Sequence, residues 1–391
     1  MKNELDTRLA NREESLATLA HKLVSWYRKH RRILPWRQTS DPYSIWISET
    51  MLQQTRVDTV IPYYNRFMEA FPTVTALASA EEDVVVKLWQ GLGYYSRVRN
   101  LHKAAKLVVD KYQGRIPTDE AGLATLPGIG PYTKGAILSI AFGQPYPAVD
   151  GNVLRVMSRV LANHQPIQSK ALKDAVFDEV LEWMEGVPPA DLSQALMELG
   201  ALVCTPRNTD CANCPIVEDC RAHRLGVVES LPVRRPKAAR RMVDVVSLWL
   251  ETDDGLLMQQ RPSEGLLAGL WQLPSVEIER NQRDDPLPED EQRQRAGLLY
   301  SQLTVASQEG VGVKEAEMEF APIATERHIF SHVEWYVTVW RPIATDGYPV
   351  KSSGVHPEQT GCHYVAPAGL DRLALPRVYE KLMQSILNKK G

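Results

Sequence analysis

Four of the chain's five cysteines, Cys204, Cys211, Cys214 and Cys220, fall within seventeen residues, with six, two and five residues between them. The fifth, Cys362, is remote from the rest. In a reducing compartment so dense a group is a soft-donor metal site rather than a disulfide framework, and four thiolates suit zinc or an iron–sulfur cluster. Their spacing differs from the paired close-set knuckles of structural zinc. Two carboxyl groups stand out elsewhere. Glu49 sits in Ile45–Val57 (IWISETMLQQTRV), four residues before Gln53, and Asp150 sits in Ala148–Asn152 (AVDGN). A glutamate and an aspartate from different segments can divide proton donation from charge stabilisation. Read singly, Glu49 is an exposed helix residue and Asp150 a helix cap. A third feature is Leu126–Thr133, LPGIGPYT. Gly128 and Gly130 let the backbone turn tightly and present N–H groups that a phosphate oxygen could accept, although an ordinary helix–helix turn has the same text.

The elements that must position these groups are helical over most of the first 224 residues. Leu16, Leu19, Ala20, Leu23, Val24 and Tyr27 recur at helical spacing. Further periodic segments run near Trp46–Phe71, Glu81–Gln90, Val98–Tyr112, Ala121–Leu126, Tyr132–Ala141, Val153–Leu161, Ala171–Met184 and Asp191–Val203, punctuated by proline and glycine. The Glu49 segment reads as amphipathic, with Ile47, Met51, Leu52 and Val57 inward and Glu49 and Gln53 on one face. Leu231–Arg241 (LPVRRPKAARR), with two prolines and five basic residues, reads as a linker. After it, Val245–Glu251 and Leu256–Arg261 read as a hairpin about Asp253-Asp254-Gly255. Glu334–Trp340 and Gly361–Val365 read as strands, Pro376–Leu387 as a helix, and residues 281–293 as an acidic loop. The expectation is an all-α domain over 1–230, a basic linker over 231–241 and an α+β domain over 242–391.

At 391 residues, 44% hydrophobic and 24% charged, the chain has the composition of a globular protein with two domains. A formal net charge of -3 neither favours nor excludes nucleic acid, since phosphate binding depends on local faces. The polar start, MKNELDTRLANREE, lacks a secretory core, and no apolar run approaches the length of a membrane span. A cytoplasmic protein with reduced thiols, nucleoid-associated if it binds DNA and with no membrane contact, is expected.

The C-x6-C-x2-C-x5-C loop at the end of an all-α domain resembles the [4Fe–4S] loop of the endonuclease III superfamily of DNA glycosylases, and this resemblance implies iron–sulfur rather than zinc. LPGIG followed by Asp150 eighteen residues after Tyr132 resembles the superfamily's helix–hairpin–helix signature. SETMLQQTRV, with Leu34-Pro35-Trp36-Arg37 before it, resembles the first catalytic segment of MutY-type adenine glycosylases. Superfamily members that also cleave the backbone place a lysine where this chain has Tyr132, and a phenol cannot form an imine. The resemblance therefore implies base removal without lyase action. It implies Glu49 as the acid at adenine N7 and Asp150 as the stabiliser of the oxocarbenium-like sugar, with Tyr132 and Asn152 positioning Asp150.

Other roles follow from the same resemblance. GLGYYSRVRNL is similar to an intercalating loop, with Tyr94 as the wedge; on pattern alone, a core tyrosine pair in a helix connection is the lesser alternative. Gln54, Thr55 and Leu92 would lie near oxidised guanine, and Arg32, Arg37 and Gln194 would line the adenine pocket. Gly265–Pro274 (GLLAGLWQLP) resembles the approach to the Nudix box, but the metal-binding R-E-x-x-E-E core is missing. A Nudix-like recognition domain without hydrolysis is implied, with Phe330, Ser331 and His332 against 8-oxoguanine, although by themselves these residues are a polar turn. The expected partner is duplex DNA containing 8-oxoguanine·adenine pairs, bound by a monomer; nothing in the residues specifies a clamp or other repair-protein partner. The competing functions are a bifunctional glycosylase–lyase, disfavoured by Tyr132; a silent DNA-binding protein, disfavoured by the two acids; and a nucleotide pyrophosphatase, disfavoured by the missing box.

Overall fold

A computed structural model describes residues 18–236, 238–280, 285–304, 319–343 and 361–389. The chain divides into two compact units: Met1–Ala80 with Arg97–Pro236, and Glu81–Ser96 with Lys237–Gly391. The first unit is helical. Its opening helix, residues 18–30, buries Leu19, Ala20, Leu23, Val24 and Tyr27 as one stripe. These side chains share a core with Val153, Val156, Met157 and Val160 of the helix Gly151–Val160 and with Leu192, Leu196 and Leu199 of the helix Pro189–Leu202.

The Trp46–Phe71 segment is two helices, Pro42–Leu52 and Val57–Ala70, broken at Gln53–Arg56 where Gln54 has a φ of 60°. The first departs from the amphipathic expectation. Tyr43 through Met51 are all buried, and Gln53 is the C-cap of the helix. Apolar side chains surround its axis, and the hydroxyls between them are satisfied locally: Ser48 Oγ donates to Ile45 O at 2.9 Å and Thr50 Oγ1 to Trp46 O at 2.8 Å. Asp41 caps its start by accepting from Ser44 N. Its last carbonyls are taken by Arg97, whose Nη1 donates to Thr50 O, Met51 O and Gln53 O at 2.8, 2.9 and 2.6 Å.

In the second unit strands β1 (Arg241–Leu248), β2 (Glu251–Thr252), β3 (Gly255–Gln260), β4 (Trp271–Gln272), β5 (Ser275–Glu279), β6 (Glu319–Ile329), β7 (Val333–Ile343) and β8 (Cys362–Val365) form two sheets. One has the order β5-β1-β7-β6, with β1 and β7 parallel and the outer pairs antiparallel; in the other, β3 pairs with β2, β4 and β8. Alternation along β1 sends Val243 and Val245 toward the helix Arg377–Asn388 and Val246 and Leu248 toward the helix Glu289–Thr304, so both faces are covered. Cys362 is fully buried in the latter core. The helix Glu82–Trp89 belongs to this unit, where Lys87 Nζ donates to Leu373 O at 2.8 Å.

Three expectations change here. Val245–Glu251 is not one hairpin arm: β1 ends at Leu248, and only the two-residue β2 pairs with β3. The acidic loop expected to 293 gives way to a helix at Glu289, whose first turn carries three acids that favour its N-terminus; residues 281–284 lie outside the described residues. Strand β6 went unforeseen; its Pro322 is tolerated at a sheet edge beside a register shift. At the end of the first unit, Leu231 is buried and Val233 O accepts from Ile167 N at 2.9 Å, so the basic segment starts packed. Among the described residues, no helix is long and apolar enough to cross a membrane.

Candidate active site

Glu49 and Asp150, a hundred residues apart, face one cavity of about 700 Å³ in the first unit. Three local devices bring them there. The all-round buried helix carries Glu49 inward, leaving it 5% exposed. Asp150 is the N-cap of the helix Gly151–Val160, its Oδ1 accepting from Val153 N at 2.7 Å. Between them, the turn at Gly128, with a φ of 80°, leads into the helix Pro131–Ala136 that carries Tyr132. That helix lies so close to the segment before Asp150 that a Cβ on Gly135 would stand 2.2 Å from Pro147 O.

Tyr132 bonds the first of the two acids and lines the same cavity as the second. Its hydroxyl donates to Glu49 Oε2 and lies 3.4 Å from Met197 Sδ. Burial drives the Glu49 carboxyl up to about 7, opposed by the Tyr132 hydrogen bond, assisted by the charge of Asp150 and opposed by Arg37. The phenol of Tyr132 is pushed well above its ordinary value, chiefly by burial and then by the two carboxylates. Burial raises Asp150 also, but hydrogen bonds from Val153 N and Asn152 and the charge of Arg155 pull the other way. Asn152 Nδ2 donates to Asp150 Oδ2 at 2.8 Å, and Arg155 Nη2 holds Asn152 Oδ1 at 2.8 Å and Gly200 O at 2.7 Å. Arg155 Nε also donates to Cys204 O at 2.9 Å, so one guanidinium touches both the Asp150 support and the first cysteine of the loop.

The remaining first-unit site residues fall around this cavity. Arg32, Arg37 and Gln194 line it, as do Gln54 and Thr55, in the turn after the Glu49 helix, and Gly128 and Gly130. Lys134 is turned away, with Nζ 2.6 Å from Glu120 Oε1. The other residues belong to the second unit. Leu92 is buried, while Tyr94 is 44% exposed at a φ of 50°, an uncommon conformation for an aromatic residue. Ser331 and His332 are exposed on the β6–β7 turn, with Ser331 Oγ 3.2 Å from His332 Nδ1. Phe330 turns inward, edge-on to Trp335 at 5.2 Å.

Sequence reasoning missed Glu198. This side chain has no exposure and binds both Arg32 and Arg37. Burial would raise its pKa, but hydrogen bonds from Arg37 and Arg32 bring it down to about 2. A signal was available: Glu198 lies four residues after Gln194, on the same helix face.

The four clustered cysteines line a second cavity with Val156, Val160, Leu199 and Ile216, and Arg159 Nη1 approaches Cys204 Sγ at 3.2 Å. Burial and the other thiols raise Cys211, and burial takes Cys214 up to about 12. Such thiols ionise only with cationic help, as a metal centre provides. Among the described residues, no group of three or more His, Cys, Asp or Glu is drawn together tightly enough to hold a single ion.

Residues 47–182 match the HhH-GPD superfamily of base excision DNA repair proteins, and residues 245–385 match a NUDIX domain. The chain is 36% identical over 383 residues to an adenine DNA glycosylase of Mus musculus, with 85% of this chain and 71% of that protein covered. It is 40% identical to the Rattus norvegicus adenine DNA glycosylase and 38% to that of Homo sapiens, spanning 60% and 59% of those proteins' lengths. A thermostable thymine-DNA glycosylase structure superposes with a TM-score of 0.50 at 25% identity, covering 55% of this chain and 99% of its own. The chain therefore belongs to the adenine DNA glycosylase family, joining a helical HhH-GPD domain to a Nudix-like domain with mixed sheets.

Proposed function

We propose that this chain hydrolyses the N-glycosidic bond of adenine paired with 8-oxoguanine or guanine in duplex DNA and leaves the sugar–phosphate backbone intact. The observation that carries this reading is the meeting of Glu49, Tyr132 and Asp150 at one cavity. Adenine is a poor leaving group until a ring nitrogen is protonated. Glu49, which burial keeps protonated near neutrality, gives its proton to N7. The C1′–N9 electron pair departs with the base, and the sugar takes on oxocarbenium character. Asp150, held by Asn152 and Val153 N, faces that charge as a carboxylate. A water then adds to C1′, returning a proton to Glu49. With a phenol at position 132 and Lys134 paired to Glu120, no lysine among the described residues lines the cavity to form an imine, which supports a monofunctional enzyme.

The target base must leave the stack, at a cost of a few kcal/mol that is smaller at a mismatch. Tyr94, exposed on the loop after Gly93, is the wedge, and Gln54 and Thr55 face the oxidised guanine. The backbone N–H groups about Gly128 and Gly130 hold phosphate. Ser331 and His332, both exposed and able to hydrogen-bond a purine edge, read the lesion in the Nudix-like domain. Cys204, Cys211, Cys214 and Cys220 would hold a [4Fe–4S] cluster, whose contribution when bound is to fix the loop from 204 to 220. The protein acts as a monomer in the cytoplasm.

Incubation with an 8-oxoguanine·adenine duplex tests the activity directly. Strand breakage should follow only after hot alkali; breakage without alkali would establish lyase action, and none in either case would exclude excision.

A further inference from the structure

Glu198, on the helix Pro189–Leu202, is fully buried in the cavity wall. Its carboxylate accepts Nε and Nη2 of Arg32 at 3.0 and 2.7 Å, and Nη1 and Nη2 of Arg37 at 2.9 and 2.8 Å. Oε1 also takes the Arg32 backbone N–H at 2.9 Å, and Arg37 Nη1 reaches Arg32 O at 3.2 Å. The two guanidiniums are thus clamped to one anion, and that of Arg37 also to the Arg32 main chain. Such a buried cluster is a poor source of stability, because desolvating its charges costs about as much as their attraction returns. Its consequences are orientation and charge. Bidentate pairing fixes each guanidinium plane and leaves Arg32 Nη1 and Arg37 Nε outside the carboxylate's hydrogen bonds. The carboxylate also cancels one of the two positive charges at this wall.

That cancellation bears on the acid. Arg37 acts on Glu49 against retention of its proton. The other charged or titratable groups that line its cavity are Tyr132 from the helix Pro131–Ala136, Asp150 from the start of the helix Gly151–Val160, Arg32 beside Arg37, Arg56 from the turn after its own helix, and Glu198 itself. With Glu198 neutral, Arg32 and Arg37 would present two uncompensated charges to the same cavity.

We propose that Glu198 is a positioning residue of the excision site, locking Arg32 and Arg37 as one unit in the base pocket and cancelling half their charge so that Glu49 retains the proton it gives to the departing adenine. This rests on the adenine-excision reading above. The test is the pH profile of single-turnover excision by the full-length protein on an 8-oxoguanine·adenine duplex, for wild type, Glu198→Gln and the double variant Arg32→Gln/Glu198→Gln. Excision requires protonated Glu49, so added positive charge moves the alkaline limb to lower pH. Glu198→Gln should shift that limb down by about one unit, an extra loss of about tenfold above the limb relative to below it. The double variant, which restores the wild-type sum of charge, should return the limb to its original position even where the overall rate stays low. A uniform loss at every pH, or a limb that stays put in folded Glu198→Gln, overturns the proposal. If Glu198→Gln melts below the assay temperature, the double variant decides: a wild-type limb supports the idea and a displaced limb overturns it. An inactive wild type would instead defeat the excision reading itself.

Discussion

Glu49 shows how burial converts an ordinary side chain into an acid for use near neutrality. Its folded value of about 7 lies above the usual carboxylate range, so the proton is bound more tightly in the folded chain than in the unfolded one. The associated stability is fully present below the unfolded pKa and is lost as pH rises through about 7, a cost of up to about 3 kcal/mol. Two outcomes follow for one residue. Wild-type excision should decline about tenfold per pH unit above the Glu49 limb, and Glu49→Gln should abolish excision while melting higher than wild type above pH 7; equal melting temperatures there would show that the buried carboxyl carries no such penalty. Asp150 has two assignments, helix cap and charge partner, and Asn separates them because it still accepts from Val153 N. Asp150→Asn should lower excision by at least about a hundredfold with duplex affinity retained; a parallel loss of affinity and melting temperature would leave only the cap.

At the scale of elements, the site depends on close approach. The helix bearing Tyr132 can sit against the Asp150 segment because position 135 has no side chain, and the obstructing atom would be a backbone carbonyl that cannot swing aside. Gly135→Ala should therefore cost about 1–3 kcal/mol or more and slow excision by parting Tyr132 from Asp150. A stable Gly135→Ala protein with full activity would mean the backbone yields there. The Glu49 helix is the clearest element that pattern misjudged. Its segment text looked two-faced because Ser44, Ser48, Glu49 and Thr50 interrupt the apolar residues, yet the hydroxyls bond within the helix and the acid meets Tyr132. Strand β1 was misjudged for a related reason: VVSLWLE looks like one strand, but its two ends serve different sheets. Local texts such as the glycine turn, the Asp150 cap and the capped helices were legible because a few neighbouring residues decide them.

For the whole molecule, the cysteine loop is the feature with a bulk readout. Purified protein should be brown and carry about four iron atoms per chain, and removal of the iron should lower the melting temperature as the loop from 204 to 220 loses its tie. A colourless protein with stoichiometric zinc would reverse the metal assignment. Arg155 gives the loop a structural route to the active site, since it holds Cys204 O and Asn152 together. What the sequence by itself determined is what neighbours in the chain determine: a helical first domain, a mixed second one, the spacing of four thiols, and phenol where a lyase needs an amine. Only the tertiary structure decided that Glu49 is buried, that it shares a cavity with Tyr132 and with a carboxyl about a hundred residues away, and that Glu198 binds two arginines more than 160 residues distant. Those facts depend on which helices pack together, and a carboxyl's charge state is set by what surrounds it in space.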